Sequence, residues 1–484
     1  MPPLKLAFAL AAAWSTSVFL AAARQETAPQ ASPTFNKDVA PILFSTCVTC
    51  HRPGAAAPMS LLTFEDARPY ARAIKAKTVT REMPPWPADP QFGRFRNHHP
   101  LTDADIQTLS AWADAGSPRG DGSAPTAPVF VDGWSMDRPP DAVIESPFEF
   151  ELPAEGQIPA FSVWLKIPFR GEKFVEAIEM QPTSRAVVHH SSVTLARLPA
   201  GAKLGRGPVW PGGPVLDGVP ILRNGQPAAP SSMPESFGKP LLFYVPGGGF
   251  VRFPRAVAKR IAPDDYIVWG FHFITSGKPE RTGARVGVWF SREKVKHEVL
   301  TWTATEKLAV NGKEVPRDKA GRTAIPPIAP HDREYTMSGE MRVAEDITLY
   351  ALWPHMHFRG RDMTFTLVDR RGREQVLLSV PRYDAQWQLT YELDTPLKIQ
   401  AGSTIKAVAH YDNSAANRHN PDPAQTVVWG PQASNEMFGP FLELVFDKRG
   451  VGGPDEPPAD CNTFGQPLPS DLPGAGVLPP PCRP

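Results

Sequence analysis

From about residue 145 onward the chain is built of short runs in which apolar, β-branched and aromatic residues alternate with polar ones: "FSVWLKIPF", "YIVWGFHFIT", "RVGVWF", "ITLYALWPHMHF", "DMTFTLVD" and "TIKAVAHYD". Gly, Pro, Asn or Asp closes each run, and the period is 2 rather than 3.6, which predicts strands joined by turns. About 310 residues of such sequence suit two antiparallel sandwiches. A border falls near "VNGKEVPRDKAG", which sets the sandwiches at 145–309 and 310–450, ahead of a Pro-rich tail at 451–484. Helical patterning is confined to the first 120 residues. In "LTDADIQTLSAWADAG", Thr102 is placed to cap a helix, Ile106, Leu109, Trp112 and Ala113 share a face, and Gly116 ends it. The segment "GSPRGDGSAPTAP" then has the small, polar composition of a linker, and the linker is placed over 121–144.

The start of the chain reads differently. Lys5 precedes an apolar run from Leu6 to Ala23, and small residues stand before Arg24, which predicts an export signal over 1–23 and a periplasmic or secreted protein. Left uncleaved, the same run approaches the roughly 18 residues a spanning helix needs, so membrane attachment is expected only in that case. The 57 prolines and 37 glycines in 484 residues agree with many turns, and a net charge of +1 gives no electrostatic footprint for nucleic acid.

Four cysteines occur. Cys461 and Cys482 flank the Pro-rich tail and are the pair available for a disulfide in an oxidising compartment. Cys47 and Cys50 stand in "FSTCVTCHRPG", directly before His51, the attachment signature for c-type haem. A redox dithiol or half of a zinc site would use the same thiols, but zinc calls for a second ligand pair nearby. Over 32–120 the chain resembles c-type cytochromes, with "FNKDVAPILFSTCVTCH" as their first helix and haem motif and "LTDADIQTLSAWADAG" as their last. The resemblance implies a small all-α haem domain in which Cys47 and Cys50 hold the porphyrin, His51 is the proximal ligand and Met83 of "REMPPWPADP" the sixth. Met59, His98 and His99 are rivals for that last role.

The remaining chemistry lies in histidines. With 12 of them in 484 residues, chance alone yields roughly 0.3 His-x-His pairs, so no single pair means much. Their order along the chain means more: His189 and His190, then His272, then His355 and His357, then Met437 in "SNEMFG". On one strand, His355 and His357 emerge on the same side, whereas His189 and His190 point apart unless a bulge swings one round. Imidazoles suit copper or zinc; two imidazoles with a thioether favour copper. The ordered set, over about 145–445, resembles the copper type II, ascorbate-dependent monooxygenases, which include peptidylglycine alpha-hydroxylating and dopamine beta-monooxygenase. That resemblance implies two jelly-roll-like sandwiches facing each other across an open cleft, with two copper ions. One would be held by His189, His190 and His272 and store an electron. The other, at His355, His357 and Met437, would be the catalytic site where dioxygen is used to hydroxylate a C–H bond of a small molecule or peptide.

The chain departs from that family in having no cysteine between 145 and 445, so its sandwiches must stand on packing. It also shows no counterpart of the Arg and Tyr that hold a peptide carboxylate, so the substrate is not implied. Electrons would come from ascorbate or a redox protein, and the fused haem would relay them. The competing expectation is a non-catalytic electron-transfer or copper-binding protein. Other histidines read as surface residues (His297, His331, His419), while His410 in "AVAHYDNS" reads as inward-facing, a partner or substitute for one of the ligands.

Overall fold

The computed structural model describes residues 32–97, 101–130, 133–156, 158, 161–196, 203–208, 215–221, 239–316, 323–430, 434–451 and 476–478. The leader over 1–23, His98, His99, Cys461 and Cys482 lie outside the described residues, as does nearly all of the tail. Among the described residues no helix is long and apolar enough to cross a membrane.

The first unit is helical. Thr102 caps Asp103–Asp114 as a capping box, its hydroxyl accepting from the Asp105 N–H while the Asp105 carboxylate accepts from the Thr102 N–H. Leu109 and Trp112 of that helix meet Phe35, Val39, Leu43, Leu61 and Ile74 in a small core of their own. A turn after Ala40–Thr46 carries Cys47 to His51, with the Cys50 and His51 N–H groups both donating to the Cys47 carbonyl.

Most of the chain is β-sheet, arranged as two sandwich-like bodies. In the first, a sheet containing Ala142–Glu145, Ala284–Phe290, Lys173–Pro182 and Val257–Ile261 covers one of Phe161–Lys166, Tyr266–Phe273, Val188–Ala196 and Lys239–Tyr244. In the second, the sheet Leu300–Thr303, Gly439–Phe446, Ile347–His355, Tyr391–Ile399 covers a larger one that includes Tyr335–Arg342, Thr404–Tyr411 and Gly360–Val368. The period-2 pattern does what it should there: Ile405, Ala407, Ala409 and Tyr411 face the core and their neighbours face out. Pairing changes partner at Leu300–Thr303, ahead of the border read at 310, because Leu300 and Trp302 already pack in the second core. The segment read as linker is partly structured: Trp134 packs edge-on against Trp289, and Arg138 pairs with Glu176.

Ile347–His355 breaks the alternation and is buried almost throughout. It is an interior strand with one face on its own core and the other on the first sandwich, so both faces need apolar residues. Trp353 stacks on Phe243 of the first sandwich with ring centroids 3.7 Å apart. Val257, Val299 and Val445 pack beside it, and Lys259 pairs with Glu443 across the same boundary. Contacts therefore close part of the boundary across which an open cleft was expected, and residues of both sandwiches line a cavity beside it. The helical unit is fastened as well, since the segment after Met83 lies on the second sandwich. There Trp86 and Phe95 both pack against Tyr391, and the Asp89 and Arg96 N–H groups donate to the Ser379 and Glu392 carbonyls.

Candidate metal and haem centre

The strand pair that carries the first histidines is irregular at the point where the chemistry requires it. Phe271 stands opposite Ser191 and His272 opposite His190, but Phe273 stands opposite Val188, so His189 is the extra residue of a bulge. Two adjacent side chains that would have diverged are thereby turned toward one centre. One ligand atom from each of His189, His190 and His272 falls within 4.8 Å of the others, and His272 Nδ1 lies 2.7 Å from His190 Nε2. The Nδ1 atoms of His189 and His190 are buried with no hydrogen-bond partner among the described residues.

Burial lowers all three imidazoles below their ordinary range, and for His189 and His190 the charge of the neighbouring rings adds to it. His189 is carried down to about 4, with Asp384 opposing the shift. The group is neutral at pH 7, as an imidazole ligand must be. His355 and His357 lie close enough to His190 for their charges to act on it too.

The second group sits where Ile347–His355 ends. His355 pairs opposite Gly439, Met356 turns fully into the second core, and His357 returns to the His355 side with ring centroids 5.2 Å apart. Burial pushes His355 well below its ordinary range, the His357 charge adding to this, and its Nδ1 has no partner among the described residues. Met437 is 6% exposed and packs with Trp353 and Phe441, next to His355.

Between these ligands lies a residue whose part was not read from the sequence. Glu436 is wholly buried, and its carboxylate accepts from the N–H of His357 at 2.8 Å, of Arg359 at 2.6 Å and of Met437 at 3.3 Å. It ties the His-Met-His turn to the Met437 turn. Burial raises it to about 7, while those three N–H groups and the Arg359 guanidinium hold it down. The adjacent Arg359, also buried, donates to the Ser434 carbonyl at 2.9 Å and fixes the same two turns from the other end.

A cavity of about 1010 Å³ separates the helical unit from both sandwiches, at the upper end of the roughly 300–1,000 Å³ usual for cofactor-sized ligands. Cys47, Cys50, His51, Met59 and Met83 line it, and so does His189. One imidazole therefore borders both the cavity and the three-histidine group. His51 Nδ1 is buried without a partner among the described residues, and both thiols are free. Burial raises the Cys47 thiol to about 12 and the Cys50 thiol in the same direction, so neither is a ready thiolate. Gly247, at φ +85°, turns the first sandwich directly beneath Cys50; a Cβ there would lie 2.8 Å from the sulfur. The donor set and the space would fit a haem, with Cys47, Cys50 and His51 as the residues to hold it.

Of the other described histidines, His419 borders the same cavity. His410 faces outward, since Ala409 and Tyr411 occupy the inward positions of its strand, and its Nδ1 lies 2.5 Å from Asp362. The inward reading of His410 is corrected accordingly: the alternation is offset by one residue. His297 Nδ1 lies 3.2 Å from the Arg449 carbonyl.

No family model matches the sequence, and no curated protein matches it. Solved structures give weak alignments. A Paenibacillus xanthan lyase aligns at 10% identity over 67% of this chain and 28% of its own, with a TM-score of 0.15. The tandem CBM22 domains of Paenibacillus barcinonensis Xyn10C align at 6% over 65% of this chain and 95% of that one, TM-score 0.15. The VP2 subviral particle of infectious bursal disease virus aligns at 10% over 65% and 73%, TM-score 0.14. The chain thus spans about 28% of the xanthan lyase, and scores of this size say nothing about function.

Proposed function

We propose that the protein is an exported haem- and copper-containing monooxygenase that hydroxylates a C–H bond with dioxygen, the haem relaying electrons to two copper ions. The observation that carries this reading is the bulge at His189, which gathers three neutral imidazoles from two strands beside a cavity lined by Cys47, Cys50 and His51. His189, His190 and His272 would hold one copper; His355, His357 and Met437 would hold the other. Bound copper supplies one-electron chemistry with dioxygen, and a thioether ligand such as Met437 favours the cuprous state. The chain's own contribution is to keep the imidazoles unprotonated by burial, to fix the Met437 turn against His357 through Glu436, and to exclude water from the second group.

Cys47 and Cys50 would hold the haem, with His51 and Met83 as the residues available to its iron. Bound with a methionine among its ligands, haem would supply electron transfer rather than substrate chemistry. Metal and haem quantification, followed by oxygen uptake with ascorbate across amines, peptides and hydrocarbons, tests the proposal. Two coppers, one haem and substrate-dependent uptake are expected; a protein without copper ends it.

One observation favours the non-catalytic alternative. His355, His357 and Met437 are all buried, and Trp353 beside them is covered by Phe243. A second group sealed in this way suits a carrier that only passes electrons, and it would show both coppers but no substrate-dependent uptake.

A further inference from the structure

The loop from Pro381 to Thr390, between the Glu374–Val380 and Tyr391–Ile399 strands, borders the cavity and the turn that carries His355 and His357. Arg382, Tyr383, Asp384 and Trp387 line the cavity that also holds Cys47, Cys50 and His51. The Tyr383 hydroxyl donates to the Met356 carbonyl at 2.7 Å and accepts from the Met356 N–H at 2.9 Å. A single residue thus borders the cavity and grips, with its hydroxyl, both backbone groups of the residue between His355 and His357. The Gln388 side chain lies against His355, and its carbonyl accepts from Trp353 Nε1 at 3.2 Å. Arg382 donates to the Thr80 carbonyl at 2.8 Å, which fastens this loop to the helical unit.

The geometry points to Tyr383 as the electron bridge from the haem cavity to the His355, His357 and Met437 group, so that one haem serves both coppers. The first copper is reached through His189, which borders the cavity itself; the second is reached through Tyr383 and the Met356 peptide. This inference rests on the haem-copper reading above. Hydrogen bonds of 2.7 and 2.9 Å shorten a path that dispersion contacts would leave at about 3.5–4.0 Å. From Met356 the main chain leads directly to either histidine.

In each transfer one electron passes: ferrous haem becomes ferric and one cupric ion becomes cuprous. No bond forms or breaks and no proton moves. Burial holds the Tyr383 phenol protonated, and its hydroxyl is engaged both as donor and as acceptor. Tyr383 is therefore a bridging and positioning residue, not a catalytic one.

The test uses the full-length haem protein carrying His190→Ala and His272→Ala, which leave copper only at the second group. After rapid photoreduction of the haem, its absorbance and the cupric EPR signal are followed together. Reoxidation of the haem matched by loss of the EPR signal is expected. Adding Tyr383→Phe, which keeps the ring and removes both hydrogen bonds, should slow it severalfold with the cupric EPR spectrum unchanged. In the chain without Tyr383→Phe, D₂O should leave the rate unaltered, a measurement that stands even if the Phe variant does not fold.

An unchanged rate in Tyr383→Phe, an altered cupric spectrum accompanying the slower rate, or a marked solvent isotope effect would each overturn the bridge. So would haem that stays ferrous in the double variant while the wild type reoxidises, an outcome that leaves the haem-copper reading intact. Wild-type protein with no haem spectrum or no copper overturns that reading and the bridge with it.

Discussion

Lys259 and Glu443 offer the sharpest test of how the two sandwiches are held. Lys259 is 5% exposed, and its ammonium lies 2.9 Å from Glu443 Oε1 and 3.3 Å from Thr301 Oγ1, with the Pro240 carbonyl as third partner. Thr301 in turn donates to the same Glu443 oxygen at 2.7 Å. Lys259→Met keeps the stem and removes the charge, leaving Glu443 with Thr301 alone while its Oε2 already lacks a partner among the described residues. Breaking a buried pair from one side costs about 3–5 kcal/mol, whereas replacing both partners by apolar residues is close to neutral.

The assay is urea unfolding followed by tryptophan fluorescence. At a slope of about 3 kcal/mol/M, a loss near 4 kcal/mol moves the midpoint down by roughly 1.3 M. Lys259→Met should show that shift, and Lys259→Met with Glu443→Met should recover most of it. A single variant costing under about 1 kcal/mol, the worth of a solvated ion pair, would refute the reasoning. So would a double variant whose loss equals the sum of the two singles, since partners in contact must couple.

Acidification acts on the histidines. His189 titrates near 6.5 when unfolded and near 4 when folded, so its contribution is complete above 6.5. It declines by about 3 kcal/mol as the pH falls to 4, and urea midpoints of metal-free protein that rise on acidification would contradict this. Glu436 works in the opposite sense, because its folded value of about 7 lies above the ordinary carboxyl value and its contribution is lost as the pH rises through 7. Glu436→Gln removes that dependence, so the variant should lose stability more steeply than the wild type between pH 7 and 4.5. Glu436→Ala should orphan the His357 and Arg359 N–H groups at about 1–3 kcal/mol each and, on the proposed two-copper reading, lower bound copper from two per chain to one by analysis. Gly247→Val combines a strained φ with a collision at Cys50; a loss of about 1–3 kcal/mol and quicker proteolysis between residues 116 and 128 are expected in limited digestion.

Local structure was readable in advance, and long-range docking was not. The Thr102 cap, the apolar face through Leu109 and Trp112, and the alternating strands around Ile405 and Met363 follow from period and capping alone. The need for a bulge beside His190 was also legible, because two adjacent strand residues cannot otherwise converge. By contrast, Glu436 is one acidic residue among many until His357, Arg359 and Met437 are seen to share it. Tyr383 and Trp86 are equally silent in sequence. Each acts through a partner far along the chain, Met356 for one and Tyr391 for the other, and no local pattern encodes such a meeting. His410 misled because adjacent strand positions differ only in which face they take.

The turn at Gly247 bears on the order in which the molecule is made. Only a residue without a side chain fits beside the sulfur of Cys50, so on the proposed haem reading the thiol that a porphyrin would join has one flank taken up once the first sandwich has docked. The helical unit leaves the ribosome first, and its core residues, from Phe35 to Trp112, all precede the sandwiches. On that reading maturation has a window: haem attachment would belong to the interval after the helices form and before the β-domains close over them.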